Sequence, residues 1–171
     1  MKQKHEDLAI YLKDHYAGGV AAIELLEHLA DFHDEPDWKH FFQELLFEVK
    51  SDHDTLHRLI DLLGFEDSSI RNTGAWIAEK FSRVKIGFGS QSKDSLRDLE
   101  TLETLFIGIT GKRLLWRALA EMNGTTSFPI TIDLADLERR ASEQLEQVEA
   151  RRLQIAARTF GPIALACERS S

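Results

Sequence analysis

The chain has 171 residues, of which 43% are hydrophobic and 29% are charged, and these proportions are typical of one soluble globular domain spanning 1–171. Its formal net charge of −8 argues against a nucleic-acid partner, because phosphate backbones attract clustered lysine and arginine. The single cysteine, Cys167, excludes an intrachain disulfide and suits the reducing cytoplasm, where we expect the protein to be located. No apolar run approaches the roughly 20 residues that a membrane-spanning helix needs.

The first 64 residues predict two long helices joined by a tight turn. Apolar residues recur every three or four positions from residue 5 to residue 33, which is the spacing of one helix face. Pro36 suits the first turn of a second helix, since its missing N–H has no partner at that position in any case. The same apolar spacing continues from Phe42 to Leu63. Gly64 is expected to end this helix, because glycine commonly follows the last helical residue.

A segment of about 30 residues, 65–95, separates this pair from the rest of the chain. It contains an amphipathic stretch, 70–84, that predicts a short extra helix, followed by the turn-rich residues 87–92. Four basic residues against one acidic residue give 71–85 a net charge of +3. We interpret this segment as a long crossover that covers the bundle.

Two more long helices follow the crossover. One contains Leu99 to Trp116 and is closed by Asn123 and Gly124, and the next is capped by Asp133. Residues 161–171, which begin with a Gly-Pro pair, form a C-terminal tail. The pattern therefore predicts an all-α four-helix bundle in which one long crossover makes the second and third helices parallel.

One segment resembles a known family. Residues 14–29, DHYAGGVAAIELLEHL, resemble the first helix of poorly characterised bacterial ferritin-like proteins, and 141–149, ASEQLEQVE, resemble the last helix more distantly. The resemblance implies a ferritin-like bundle whose di-iron site takes one Glu from each of two helices and a Glu-x-x-His from each of the others. Glu24 matches the Glu of the first helix. No Glu-x-x-His occurs in the chain, so a standard di-iron site is not expected.

An atypical metal site is an alternative, with Fe, Mn or Zn as the metal. All seven histidines precede residue 58, so the ligands would come from the first two helices. Imidazole and carboxylate groups are the donors that these metals accept. The candidate ligands are His15, Glu24, His28, Glu48, Asp52 and His53.

His15 and His53 lie on the apolar faces of their helices, at positions that an antiparallel pair would bring to the same height. One interpretation is a neutral histidine pair in the core, satisfied by hydrogen bonds. The other is a small ligand pocket, with Gly18 and Gly19 leaving room and Arg113 available to bind an anion. We favour the first interpretation and keep both open.

The predicted alignment of the helices also places apolar residues where relatives would hold iron. It pairs Glu103 with Arg152 in a structural salt bridge, since an unpaired buried charge would cost several kcal/mol. The middle of the bundle is predicted to be filled by Leu46, Val49, Phe106, Ile109, Leu145 and Val148.

Three classes of function follow, and none of them specifies a reaction. The first is a ferritin-like module without a standard di-iron site or any cofactor, structural or small-ligand-binding, and a homodimer. The second is the atypical metal-binding protein. The third is a peripheral membrane or partner-binding protein that uses 71–85, with Trp76 and Phe81 as anchors. We favour the interpretation that this stretch only covers the bundle, so no membrane surface is expected as a partner.

Overall fold

The computed structural model describes residues 2–65, 94–125 and 132–161. Four helices account for nearly all of them: α1 (Lys2–Phe32), α2 (Pro36–Leu62), α3 (Asp94–Thr125) and α4 (Leu134–Phe160). The described residues contain no strand, so the prediction of an all-α fold with four long helices is confirmed. The predicted extra helix, the basic stretch 71–85 and tail residues 162–171 lie outside the described residues. Across the described ranges, no helix is both long and apolar enough to cross a membrane.

The helix ends follow local chemistry. Pro36 occupies the first turn of α2, and Gly64, just past the end of α2, has the positive φ of 68° that glycine adopts without strain. The Asp133 side chain caps α4 by accepting a hydrogen bond of 2.9 Å from the backbone N–H of Asp136. These three predicted boundaries are confirmed.

Helices α1 and α2 are antiparallel neighbours. The rings of His5 and Phe65, from the start of α1 and just past the end of α2, lie 4.5 Å apart. In the middle of the pair, the His53 Nε2 lies 3.1 Å from the Tyr16 carbonyl oxygen. The predicted alignment, in which His15 and His53 lie at similar heights, follows from these contacts.

Helices α3 and α4 form the second antiparallel pair. Arg117 near the end of α3 contacts Glu138 near the start of α4 at 3.3 Å, and Arg152 near the end of α4 contacts Glu103 at 3.5 Å. The second contact is the predicted salt bridge, which is confirmed.

The two pairs are joined so that α2 and α3 run in the same direction. His33, directly after α1, lies 3.8 Å from Asp98 in the first turns of α3, so the starts of α2 and α3 are at the same end of the bundle. Asp52 and Lys112, each past the middle of its helix, are in direct contact. The sequence pattern predicts this parallel arrangement of α2 and α3.

The larger of two apolar clusters in the described residues forms the core between the helices. Of the residues predicted to fill its middle, Val49, Ile109, Leu145 and Val148 are buried, and Leu46 and Phe106 pack against it half-buried. An aromatic group formed by Trp38, Phe41 and Phe42 closes the end near the start of α2, with neighbouring ring centroids 5.3–6.1 Å apart. Burial of these side chains supplies the main favourable term for folding.

Candidate functional site

A buried carboxylate connects three of the four helices. Asp52 lies on the apolar face of α2 and is 1% exposed. Its Oδ2 accepts a hydrogen bond of 2.5 Å from the Lys112 Nζ on α3 and one of 3.3 Å from the Gln144 Nε2 on α4. Its Oδ1 forms an ion pair with the guanidinium Nη2 of Arg140, also on α4. Hydrogen bonds to one carboxylate oxygen and a charge partner at the other offset the cost of burying this group.

Lys112 is the second buried charge of this cluster. Its Nζ donates to the Gln144 Oε1, at 2.5 Å, as well as to Asp52, and its side chain is only 16% exposed. Burial lowers the pKa of the Lys112 amine from 10.5 to about 7, and the negative charge of Glu48 acts in the opposite direction. A neutral amine is therefore accessible to Lys112 near neutral pH.

The cluster contains more positive than negative charge when every group is ionised. Asp52 contributes one negative charge, whereas Lys112 and Arg140 contribute two positive ones. Arginine remains charged throughout the physiological range, so Arg140 alone balances Asp52. Neutral Lys112 leaves these three groups with no net charge, which a low-dielectric interior favours.

A cavity of about 130 Å³ lies beside this cluster, between α1, α2 and α3. Its wall is mainly apolar. Among its lining residues, Asp14, Gly18 and Gly108 are exposed and mark its mouth. The apolar lining residues are Ala22, Leu26, Val49, Leu56, Leu105, Ile109, Leu115 and Trp116, and the polar side chains that join them are Asp14, His15, Asp52, His53 and Lys112.

Glycines keep part of this space open. A Cβ atom added at Gly18 or at Gly108 would meet no atom within 4 Å. Gly19 has a different role, because a Cβ there would overlap the imidazole of His53. Gly19 thus lets the His53 ring lie directly against the backbone of α1.

Both cavity histidines have pKa values below their ordinary range, because they are largely buried. For His53, the hydrogen bond to the Tyr16 carbonyl acts against this effect of burial, and its ring also stacks on the Tyr16 ring at 4.2 Å. For His15, the negative charge of Asp14 acts against burial. The His53 hydrogen bond is of the kind that the interpretation as a neutral core histidine requires.

The six candidate metal ligands are not gathered in one place. His15, Asp52 and His53 line the cavity, whereas Glu24 and His28 are exposed on α1 and Glu48 is half-buried on α2. Within 2–65, 94–125 and 132–161, no group of three or more His, Cys, Asp or Glu side chains is placed to hold a metal ion. The Asp52 carboxylate is instead paired with Lys112 and Arg140.

The structure places the three residues of the predicted ligand pocket differently. Gly18 and Gly19 line the cavity as expected, but Arg113 does not, and the cation in the wall is its neighbour Lys112. Successive helix positions are about 100° apart, so an error of one residue replaces one side chain by another on a different face. The apolar face of α3 passes through Ile109, Lys112 and Trp116.

Sequence reasoning missed three of the four members of the buried cluster: Lys112, Arg140 and Gln144. For two of them a signal was available, because a polar residue occupies the core spacing of each helix. Lys112 lies three residues after Ile109, and Gln144 lies three residues after Ala141. A polar residue at such a position needs a buried partner, and Asp52 has the same placement on α2.

No protein-family model, curated protein or solved structure matches this chain. The geometry of the cavity and of the Asp52 cluster is therefore the basis for assigning a function.

Proposed function

We propose that this protein is a four-helix module that binds a small, largely apolar molecule in the cavity between α1, α2 and α3. The observation that supports the proposal is the cavity itself, about 130 Å³ with mainly apolar walls. An engineered apolar cavity of about 150 Å³ in another protein binds benzene. The volume here suits a molecule of similar size, on the order of six to eight non-hydrogen atoms.

The walls suggest how such a molecule would be oriented. Apolar side chains would surround its hydrocarbon part, and polar groups on one side would contact a polar end. Lys112 and Asp52 provide a donor and an acceptor in this wall, and His15 and His53 add imidazoles. Few polar groups in a mainly apolar site are typical of small-molecule pockets.

A purely structural role explains the cavity less well. An empty enclosed cavity of 130 Å³ would cost on the order of 3 kcal/mol, and less if it opens to solvent as this one does. That cost is a large share of the roughly 5–15 kcal/mol by which domains are stable. Gly18 and Gly108 add to the cost of the cavity, because glycine weakens a helix relative to alanine.

We further propose that the module is ferritin-like, lacks a standard di-iron site and works as a cytoplasmic homodimer. The resemblance of 14–29 and the parallel course of α2 and α3 support the first part. Phe47 and Ile107, which are 77% and 72% exposed, are apolar side chains that a dimer contact would cover. Light scattering across a concentration series, combined with Phe47→Lys, tests the dimer.

Binding is tested with toluene as the probe and two matched glycine variants. Gly108 and Gly111 are both on α3 and both accept a Cβ without contact within 4 Å, but only Gly108 lines the cavity. We expect toluene to raise the melting temperature of the wild type and of Gly111→Leu, and to have little effect on Gly108→Leu. Absence of any shift in the wild type with either toluene or benzene at saturation would overturn the proposal.

A further inference from the structure

The position of Lys112 is unusual for a residue that only balances charge. Lys112 lines a mainly apolar cavity, while the Asp52 carboxylate beside its amine is already paired with Arg140. Lysine amines in apolar pockets are the ones that proteins use as nucleophiles, because desolvation favours the neutral form. The burial that lowers the pKa of Lys112 to about 7 acts in this direction.

We propose that Lys112 forms a reversible imine with a small apolar aldehyde or ketone bound in the cavity. This inference rests on the proposed function and specifies the chemical class of the bound molecule. It places the carbonyl carbon at the Lys112 Nζ and the hydrocarbon part against the apolar wall formed by residues such as Leu105 and Ile109.

The reaction is a condensation that needs no oxidant or reductant. The lone pair of the neutral amine attacks the carbonyl carbon and a C–N bond forms, and one of the two protons on nitrogen is transferred to the carbonyl oxygen, which becomes a hydroxyl group. The second proton on nitrogen is then transferred to that hydroxyl, the C–O bond breaks, water leaves and the C=N bond forms. Asp52, whose Oδ2 lies 2.5 Å from Nζ, is the nearest group able to accept and return a proton.

A carbonyl compound fits this site better than an anion does. A bound carboxylate at Lys112 would lie next to the Asp52 carboxylate and near Glu48, so it would be repelled by like charge. Two of the three donor positions of the Lys112 ammonium group already face Asp52 and Gln144. A neutral carbonyl group meets neither obstacle.

The pH dependence of imine formation is set by the charged groups that face Lys112. Asp52 and Glu48 on α2 favour the charged amine, whereas Arg140 on α4 and burial favour the neutral one. His15, across the cavity on α1, is held largely neutral near pH 7 because burial lowers its pKa. Imine formation at Lys112 should therefore be appreciable at pH 7, where an exposed lysine is almost fully protonated.

The test uses benzaldehyde and sodium cyanoborohydride, which reduces an imine to a stable secondary amine. Peptide mapping of the wild-type protein at pH 7 should show a benzyl group on Lys112 at least about tenfold faster than on the exposed Lys50, because burial lowers the pKa of Lys112 to about 7 and makes much of its amine neutral. Toluene should slow labelling of Lys112 and leave labelling of Lys50 unchanged. Lys112→Arg, which keeps a cation, should abolish the fast labelling.

The outcomes separate this inference from the proposed function. If toluene stabilises the protein but benzyl groups appear on Lys112 no faster than on Lys50, the imine is excluded and the binding proposal stands. If toluene has no effect and Lys112 is not labelled, both fail. The wild-type peptide map needs no variant, so it decides the question even if Lys112→Arg does not fold.

Discussion

Helix α4 contributes to two clusters of opposite charges that differ in burial. In one cluster, Arg140 and Gln144 contact Asp52, whose side chain is fully buried. In the other, Arg152 contacts Glu149 through bonds of 2.6 and 2.8 Å and Glu103 at 3.5 Å, and these two carboxylates are 36% and 51% exposed. The residue types are similar in the two clusters, but the surroundings are not.

The comparison shows that ion pairing affects stability differently in the two clusters. Exposed ion pairs lose little solvation when they form, and water weakens the attraction between their charges. Their net contribution to stability is therefore small. In the buried cluster, the Asp52 carboxylate would be strongly unfavourable without its partners, although the complete set need not stabilise the fold more than apolar residues would. A buried cluster that borders a cavity is therefore better explained by a role in binding than by stability.

The largest expected effect comes from removing the buried charge. Asp52→Asn should lower the free energy of unfolding by about 3–5 kcal/mol, because it removes the buried carboxylate that pairs with the Lys112 amine and the Arg140 guanidinium. Asp54→Asn, two residues further along α2 and exposed, is the matched control and should change it by less than about 0.5 kcal/mol. Urea unfolding of the three proteins measures both values.

A double variant sharpens this prediction. Lys112→Met combined with Asp52→Asn should cost clearly less than the sum of the two single changes, because each single change leaves a buried group unpaired. Additive effects would show that the two side chains do not act as a pair, in conflict with the 2.5 Å contact between them.

The buried lysine should also make stability depend on pH. The pKa of Lys112 is about 7 in the folded protein and near 10.5 in the unfolded chain, so the unfolded chain binds more protons between these values. Stability contributed by this group should therefore rise from pH 7 to pH 10.5 and be constant below about pH 6. The difference in unfolding free energy between wild type and Lys112→Met should increase over this range, whereas a flat difference would contradict the assignment.

Adjacent glycines on α1 extend the comparison between buried and exposed positions. Gly19→Ala should destabilise the protein by about 1 kcal/mol, since the new Cβ displaces the His53 ring from its hydrogen bond with Tyr16. Gly18→Ala meets no atom within 4 Å and should stabilise by about 0.5–1 kcal/mol through helix propensity. Thermal melts of both variants show directly whether each substitution raises or lowers stability. Equal effects would mean that His53 does not require the glycine.

The comparison also explains how far the sequence could predict this structure. The periodic apolar residues and the caps at Pro36 and Asp133 are local signals, and they were sufficient for the four helices. The Glu103–Arg152 pair followed from aligning just two neighbouring helices. The buried cluster requires the relative rotation of α2, α3 and α4 at once, and an error of one position on α3 led to Arg113 in place of Lys112.

The smallest expected effect concerns the exposed cluster. Glu149→Gln removes the charge that forms the shortest contacts of Arg152, and the hydrogen bonds to Glu149 lower the pKa of that carboxyl group while raising the pKa of Arg152. Because water solvates both partners and Glu103 remains within 3.5 Å of Arg152, we expect a loss of stability much smaller than that of Asp52→Asn, and one that shrinks further in high salt. Urea unfolding at low and high ionic strength tests this. A loss as large as that of Asp52→Asn would show that burial does not separate the two clusters, and the argument that the buried one serves the cavity would lose its basis.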